Sequence, residues 1–314
     1  MFFENGGAEC YVVRIGKSKN SDSPNIKEYE EAFKVIDKDV NLFNLMVLPK
    51  GNENTEFKIE SVWAIASIFC EEKRAFLIMD APSWKSPKNG ISEIAKYRNG
   101  LVKDHSAIFY PKLKIKENGL EKEIGPGGAI AGLMARIDST RGVWKAPAGI
   151  EADIRGIIGI SMNITDEENG VFNQRAINII RSFPNGIVNW GARTMDGDDE
   201  FQSEYKYIPV RRLALYIEAS IGFGLNWVVF EPNDEPLWSE IILKVGAFMH
   251  DLFRQGAFQG QAPKDAFFVK CDKETTSQND INHGIVNILV GFAPLRPAEF
   301  IVIKLQLVAG QVQT

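Results

Sequence analysis

The strongest constraint on this chain is an alternation, through its first half, of short apolar runs closed by turn residues with longer stretches of helical periodicity. Residues 42–48 (LFNLMVL) are closed by Pro49-Lys50-Gly51, and residues 75–79 (AFLIM) by Asp80-Ala81-Pro82. Between them Ile59, Val62, Trp63, Ala66 and Phe69 recur at the spacing of one helix face within residues 54–70. A second helix over 91–99 and a third run at 106–110 (SAIFY) continue the pattern. It predicts parallel strands joined by right-handed helical crossovers, an α/β layer design.

The charged stretch 114–124, with Gly119, predicts a surface hairpin or loop. Gly125-Pro126-Gly127-Gly128 then opens a small-residue helix over 129–137. A polar helix is expected over 168–183, followed by Asn185-Gly186 and a strand at 187–190. Residues 10–16 (CYVVRIG) also read as strand. The acidic run 196–204 is the natural boundary, giving domains of 1–200 and 201–314. Beyond it come a helix at 211–221, a strand at 226–230 (NWVVF) and an amphipathic helix at 235–255 with Ile241, Val245, Phe248 and Leu252 on one side. Strands at 266–271, 284–292 and 299–307 complete an α+β second half. The last run, EFIVIKLQL, is rich in β-branched residues and has no following element to cover it, so it is a template for pairing with another chain.

Composition narrows the function. With 314 residues, 45% hydrophobic, the chain has room for about two domains. A net charge of -5 and no basic patch interleaved with aromatics argue against a nucleic-acid partner. No apolar run approaches the ~20 residues that span a bilayer, and there is no signal peptide, so membrane insertion is not expected. Cys10, Cys70 and Cys271 stand far apart with no CxxC pair, which argues against a disulfide framework or a structural zinc site; the latter two lie in apolar patterns and read as buried thiols.

Catalytic signatures are missing. His105, His250 and His283 lack metal-ligand spacing and read as surface or core histidines. The glycine-rich segment 125–132 lacks the lysine of a P-loop, and Ile130 breaks the dinucleotide fingerprint, so close helix packing is the better explanation. Asp196-Gly197-Asp198-Asp199-Glu200 resembles a calcium loop but carries Phe201 where the turn glycine belongs, and reads as a solvated acidic loop. No G-x-S-x-G elbow occurs. Asp80 alone has the location of a catalytic carboxylate, at the end of a parallel strand. No catalytic, cofactor-binding or metal-binding residue is therefore assigned.

Several segments resemble the contractile tail sheath family of bacteriophages and related injection systems. They are Val188-Asn-Trp-Gly-Ala-Arg-Thr, Tyr207-Ile-Pro-Val-Arg-Arg-Leu-Ala-Leu-Tyr, Trp227-Val-Val-Phe-Glu-Pro-Asn-Asp, Ala266-Phe-Phe-Val-Lys-Cys-Asp and Ala293-Pro-Leu-Arg-Pro-Ala-Glu-Phe. Upstream, Phe2-Phe-Glu-Asn-Gly-Gly and Gly128-Ala-Ile-Ala-Gly-Leu-Met-Ala-Arg-Ile-Asp look like the same family's first domain. The resemblance implies a subtilisin-like α/β domain followed by a smaller α+β C-terminal sheath domain. The subtilisin chemistry would be absent, because Gly127 stands where such a protease needs its serine.

What the resemblance implies for function is a structural subunit, a homo-oligomer stacked as hexameric rings around an inner tail tube protein, with baseplate and tail terminator proteins as further partners. Contraction would drive the tube through a target cell envelope. The particle would be a virion tail, serving viral genome ejection, or an injection particle, assembled in the bacterial cytoplasm. In the family, terminal strands link neighbours through the C-terminal-domain sheet. Residues 298–308 fit the C-terminal donor strand, with Glu299, Phe300, Ile301, Val302, Ile303, Lys304 and Leu305 as inter-subunit residues. This chain starts on the Phe-Phe-Glu-Asn-Gly-Gly match, so the N-terminal arm is expected to be missing or the linkage to differ. The helix at 237–255 is the expected tube contact, through Lys244, His250 and Arg254. The rival readings are an α/β hydrolase-like enzyme using Asp80 and a cap or initiator that binds a sheath end without polymerising.

Overall fold

The computed structural model describes residues 1–16, 24–49, 58–84, 86–295 and 301–308, the last of these by backbone alone. The chain divides into two compact units, Met1–Arg212 and Leu213–Thr314.

In the first unit Asn25 caps α1 (Ile26–Asp39): its side chain accepts from the Lys27 N–H while Glu28 reaches back to the Asn25 N–H. Tyr29, Ala32 and Phe33 form the buried face of that helix. The alternation then unfolds in order as β1 (Leu45–Val47), α2 (Trp63–Glu72), β2 (Phe76–Asp80), α3 (Pro87–Tyr97) and β3 (Ser106–Tyr110). Every residue of β3 and the first four of β2 are buried, as parallel strands covered on both faces require. The charged stretch forms the hairpin β4 (Leu113–Glu117) and β5 (Leu120–Ile124), turning through Asn118 and Gly119, both at positive φ. After it come α4 (Gly127–Arg141), β6 (Gly159–Ile160), α5 (Asp166–Gln174), β7 (Ile177–Phe183) and β8 (Gly186–Asn189).

The main sheet has the order β1-β2-β3-β7-β8, parallel except for the β7–β8 hairpin, and a smaller sheet has the order β5-β4-β6. Its core joins Phe33, Trp63, Phe69, Leu77, Met79, Ile108 and Phe172, with Trp84, Tyr110 and Phe172 in a chain of ring contacts.

From the first unit α6 (Ile208–Gly224) carries the chain into the second. There follow α7 (Glu235–Arg254), α8 (Pro263–Ala266), β9 (Phe267–Lys270), α9 (Gln278–Asn282), β10 (Ile285–Phe292) and β11 (Ile301–Val308), the three strands forming an antiparallel sheet in the order β11-β10-β9. The architecture is mixed α/β, a parallel-strand sheet with smaller sheets and helices.

Three expectations are corrected. The polar helix over 168–183 is instead α5 followed by β7: Ala176 turns left-handed at φ 55, and the Ile-rich run 177–180 then enters the slot beside β3. Residues 226–230 are not a strand but a 3₁₀ turn, Asn226–Val228, after which Phe230 takes φ 77. Residues 10–16 form no ladder; Tyr11 and Val12 are exposed, and Ile15 packs against the core.

Candidate assembly site

Strand β10 is the centre of the second unit's sheet. Val286, Ile288, Val290 and Phe292 are fully buried and alternate with Ile285, Asn287, Leu289 and Gly291 on the other face. Along one edge β11 pairs over its whole length, from Ile285 opposite Val308 to Phe292 opposite Ile301. Along the other edge β9 reaches only Leu289–Phe292. Where β9 stops, the Thr276 hydroxyl takes over the ladder, accepting from the Asn287 N–H at 3.0 Å and donating to the Asn287 carbonyl at 3.5 Å. Next to it, Ser277 and Asp280 form the capping box of α9, and Asp280 Oδ2 accepts from Asn287 Nδ2 at 3.2 Å. The Phe268 ring lies across Gly291, where a Cβ would overlap it. One edge of β10 is thus closed by several elements, and the other is covered by β11, which among the described residues has β10 as its single strand neighbour.

Of the residues expected to join subunits, Ile301, Val302, Ile303, Lys304 and Leu305 lie in β11 opposite Phe292, Gly291, Val290, Leu289 and Ile288. Glu299 and Phe300 lie outside the described residues.

Helix α7 buries Leu237, Trp238, Ile241, Val245, Met249 and Leu252. Met249 takes the core position expected for Phe248, which is half-buried with its ring 6.2 Å from that of Tyr216. Asp234 caps the helix, Glu235 sits in its first turn and Arg254 in its last, all in the sense that complements the helix dipole. Lys244, His250 and Arg254 are exposed. Lys244 is already engaged, 2.9 Å from Glu240 and with its ammonium 3.6 Å from the centroid of the Trp227 ring. The His250 ring lies 6.4 Å from that of Phe253.

The groups that raised the question of catalysis have structural partners. Asp80 accepts from the Gly127 N–H at 2.6 Å, at the N-terminus of α4. Burial pushes its carboxyl up to about 6, against the opposing pull of that N–H and of the Lys112 charge. Side chains at Gly125 or Gly127 would run into the Asp80 carboxylate, and one at Gly132 into the Phe2 carbonyl, so the glycine-rich segment serves close packing. His105 is buried: Arg211 donates to its Nε2 at 2.7 Å, which puts the ring proton on Nδ1, 3.2 Å from Asp104 Oδ1. His283 Nδ1 lies 2.7 Å from the Asn279 carbonyl. Cys70 and Cys271 are buried, and burial pushes both thiols up, Cys271 to about 12. Among the described residues no group of three or more His, Cys, Asp or Glu gathers to hold a metal, and no helix is long and apolar enough to cross a membrane.

The acidic run is solvated over residues 200–204 but anchored at Asp198 and Asp199. Asp198 is 1% exposed, ion-paired with Arg98 and 3.7 Å from Arg175, while Asp199 holds Arg193 at 2.8 Å and Lys206 at 2.5 Å. Desolvation raises the Asp198 pKa, but the Glu200 N–H and the Arg98 guanidinium outweigh it and hold the group below the usual range. Sequence reasoning missed this because the arginines that pair with the run are up to a hundred positions away.

Residues 200–307 match the family described as the phage tail sheath C-terminal domain. The chain is similar to the tail sheath protein of Enterobacteria phage T4, 28% identical over 121 residues that make up 38% of this chain and 18% of that protein. The match therefore spans under a fifth of that relative's length. Among solved structures it is similar to the helical sheath of the anti-feeding prophage in its contracted state, with 31% identity, a TM-score of 0.77 and coverage of 97% of this chain and 79% of that one. It is also similar to the PVC sheath complex of an extracellular contractile injection system in its contracted state, with 30% identity, a TM-score of 0.73 and coverage of 96% and 77%.

Proposed function

Because the chain belongs to the contractile tail sheath protein family, we propose that it is the sheath's structural subunit, polymerising as stacked sixfold rings around an inner tube and contracting to drive that tube through a target cell envelope. Its relatives are structural sheath proteins, which supports a non-enzymatic role. The particle is a virion tail or an injection particle, put together in the bacterial cytoplasm with baseplate and terminator proteins at its ends. The division at 1–200 and 201–314 follows the family's subtilisin-like and C-terminal sheath domains.

The observation that carries this reading is the single-sided attachment of β11. A terminal strand held by one ladder can leave it and fill the same ladder in a neighbour, which costs little because the bonds broken and made are the same. Main-chain hydrogen bonds then keep subunits joined while they rotate as rigid bodies. On this reading residues 299–305 join subunits, and Lys244, His250 and Arg254 of α7 meet acidic tube residues through ion pairs weak enough to break on contraction.

Electron microscopy of the purified chain tests the assembly: helical tubes of sixfold rings are expected, and monomers under every condition would overturn it. Deleting residues 298–314 should abolish cohesive tubes while circular dichroism still reports a folded chain. Unchanged tubes after that deletion would remove the strand exchange. A cap or initiator would bind preformed sheath ends and form no tubes in either variant.

A further inference from the structure

We propose that Met162 is a site of reversible oxidation by peroxide, and that the buried Tyr110 hydroxyl receives the oxygen it gains. Of the seven methionines, Met46, Met79, Met134, Met195 and Met249 are buried. Met162 is half-buried, on the connection between β6 and α5, and packs against the rim of the first unit's core. A thioether is oxidised where an oxidant reaches it, so its position sets Met162 apart from those five.

Tyr110 supplies the second feature of the site. It is 4% exposed, with its ring 5.1 Å from that of Trp84 and 5.7 Å from that of Phe172. Among the described residues the one acceptor of its hydroxyl is the Met162 sulfur, at 3.1 Å. A thioether is a weak acceptor, so this buried O–H is poorly matched. A sulfoxide carries a strongly polar S–O bond, and its oxygen accepts far better than the sulfur did. In the reaction the sulfur gives an electron pair to one oxygen of hydrogen peroxide, the O–O bond breaks, and the other oxygen leaves as water with both protons. The sulfur is oxidised and the peroxide reduced. The lone pair facing Tyr110 is engaged, so the oxygen adds at the other and turns inward by rotation of the unbranched side chain. The backbone on either side is tied, since the Ser161 N–H donates to the Lys112 carbonyl at 2.9 Å and Thr165 caps α5. Methionine oxidation ordinarily weakens a fold by setting a polar group against apolar neighbours. Here the same change supplies the acceptor that a buried hydroxyl lacks, which offsets that cost.

Peptide mass mapping of the full chain after dilute hydrogen peroxide, in a Cys10→Ser background, tests the site. Met162 should gain one oxygen at least several-fold faster than Met46, Met79, Met134, Met195 or Met249, and methionine sulfoxide reductases should remove it. Thermal melting tests the role of Tyr110. The oxidised chain should melt no lower than the untreated one, whereas in Tyr110→Phe oxidation should lower the melting temperature by several degrees; peroxide treatment of Met162→Leu gives the contribution of all other sites. Met162→Gln, which brings an amide oxygen within similar reach, should melt above Met162→Leu, and this covers a failure of Tyr110→Phe to fold. Oxidation of Met162 no faster than that of the five buried methionines would overturn the proposal. So would an equal loss of melting temperature with and without the Tyr110 hydroxyl, or a Met162→Gln chain that melts no higher than Met162→Leu.

Discussion

Asp80 and Asp198 are carboxylates withdrawn from water to opposite effect. Asp80 meets one N–H and the charge of Lys112, which together do not offset its burial, and its pKa rises to about 6. A raised acid pKa means the folded state prefers the protonated form: stability is greatest below the ordinary Asp range and falls as pH rises through about 6. Asp80→Asn should therefore stabilise the chain at pH 8, by up to about 3 kcal/mol, with the advantage vanishing towards pH 4. Melting curves of both chains across that range test it, and a constant difference would mean that the charge is not the cause. Asp198 has the lowered pKa of a carboxylate met by a guanidinium and a backbone N–H, so its contribution is present at neutral pH and is lost as pH falls through that lowered value. Replacing it with Ala leaves the Arg98 side chain, 10% exposed, without its carboxylate and should cost about 3 kcal/mol in urea denaturation.

Elements were legible in the sequence where two signals coincided. β1, β2, β3 and β10 combine an apolar run with a turn at one end, and α4, α6 and α7 combine periodicity with a cap or proline near their start. α1 is spelled by a capping box, Asn25 with Glu28, and by Tyr29, Phe33 and Ile36 on one face, without the long apolar run that marks the other elements. β7 was misread because polar periodicity upstream ran into it; what makes it a strand is the vacant place beside β3, which no local pattern encodes. In the assembly site the strand β11 was legible, but its ladder partner was not, nor was Thr276 completing the ladder with its hydroxyl, since pairing joins residues distant in sequence. Two variants act at this scale. Gly132→Val should detach the Phe2–Gly7 turn from α4, seen as faster proteolysis of that turn. Thr276→Val should destabilise the second unit by about 1–3 kcal/mol, because it leaves the Asn287 N–H buried without an acceptor; an unchanged urea midpoint would count against the hydroxyl's place in the ladder.

Over the whole molecule the net charge of -5 makes copies repel at neutral pH. The Debye length falls from about 30 Å at 0.01 M salt to about 8 Å at 0.15 M, so assembly should begin at lower protein concentration in the saltier buffer, as read by light scattering. The reverse order would indicate that attractive ion pairs between copies outweigh net repulsion. The closed far edge of β10 bears on what such assembly can look like. With β9 and Thr276 filling that side, a β11 that left its own ladder, as the proposed exchange requires, would free one place beside β10 and supply one strand. A unit with one plug and one socket has a valence of two: by this contact alone it can extend a thread or close a ring, but it cannot branch, and any sideways cohesion between threads has to come from surfaces elsewhere on the chain.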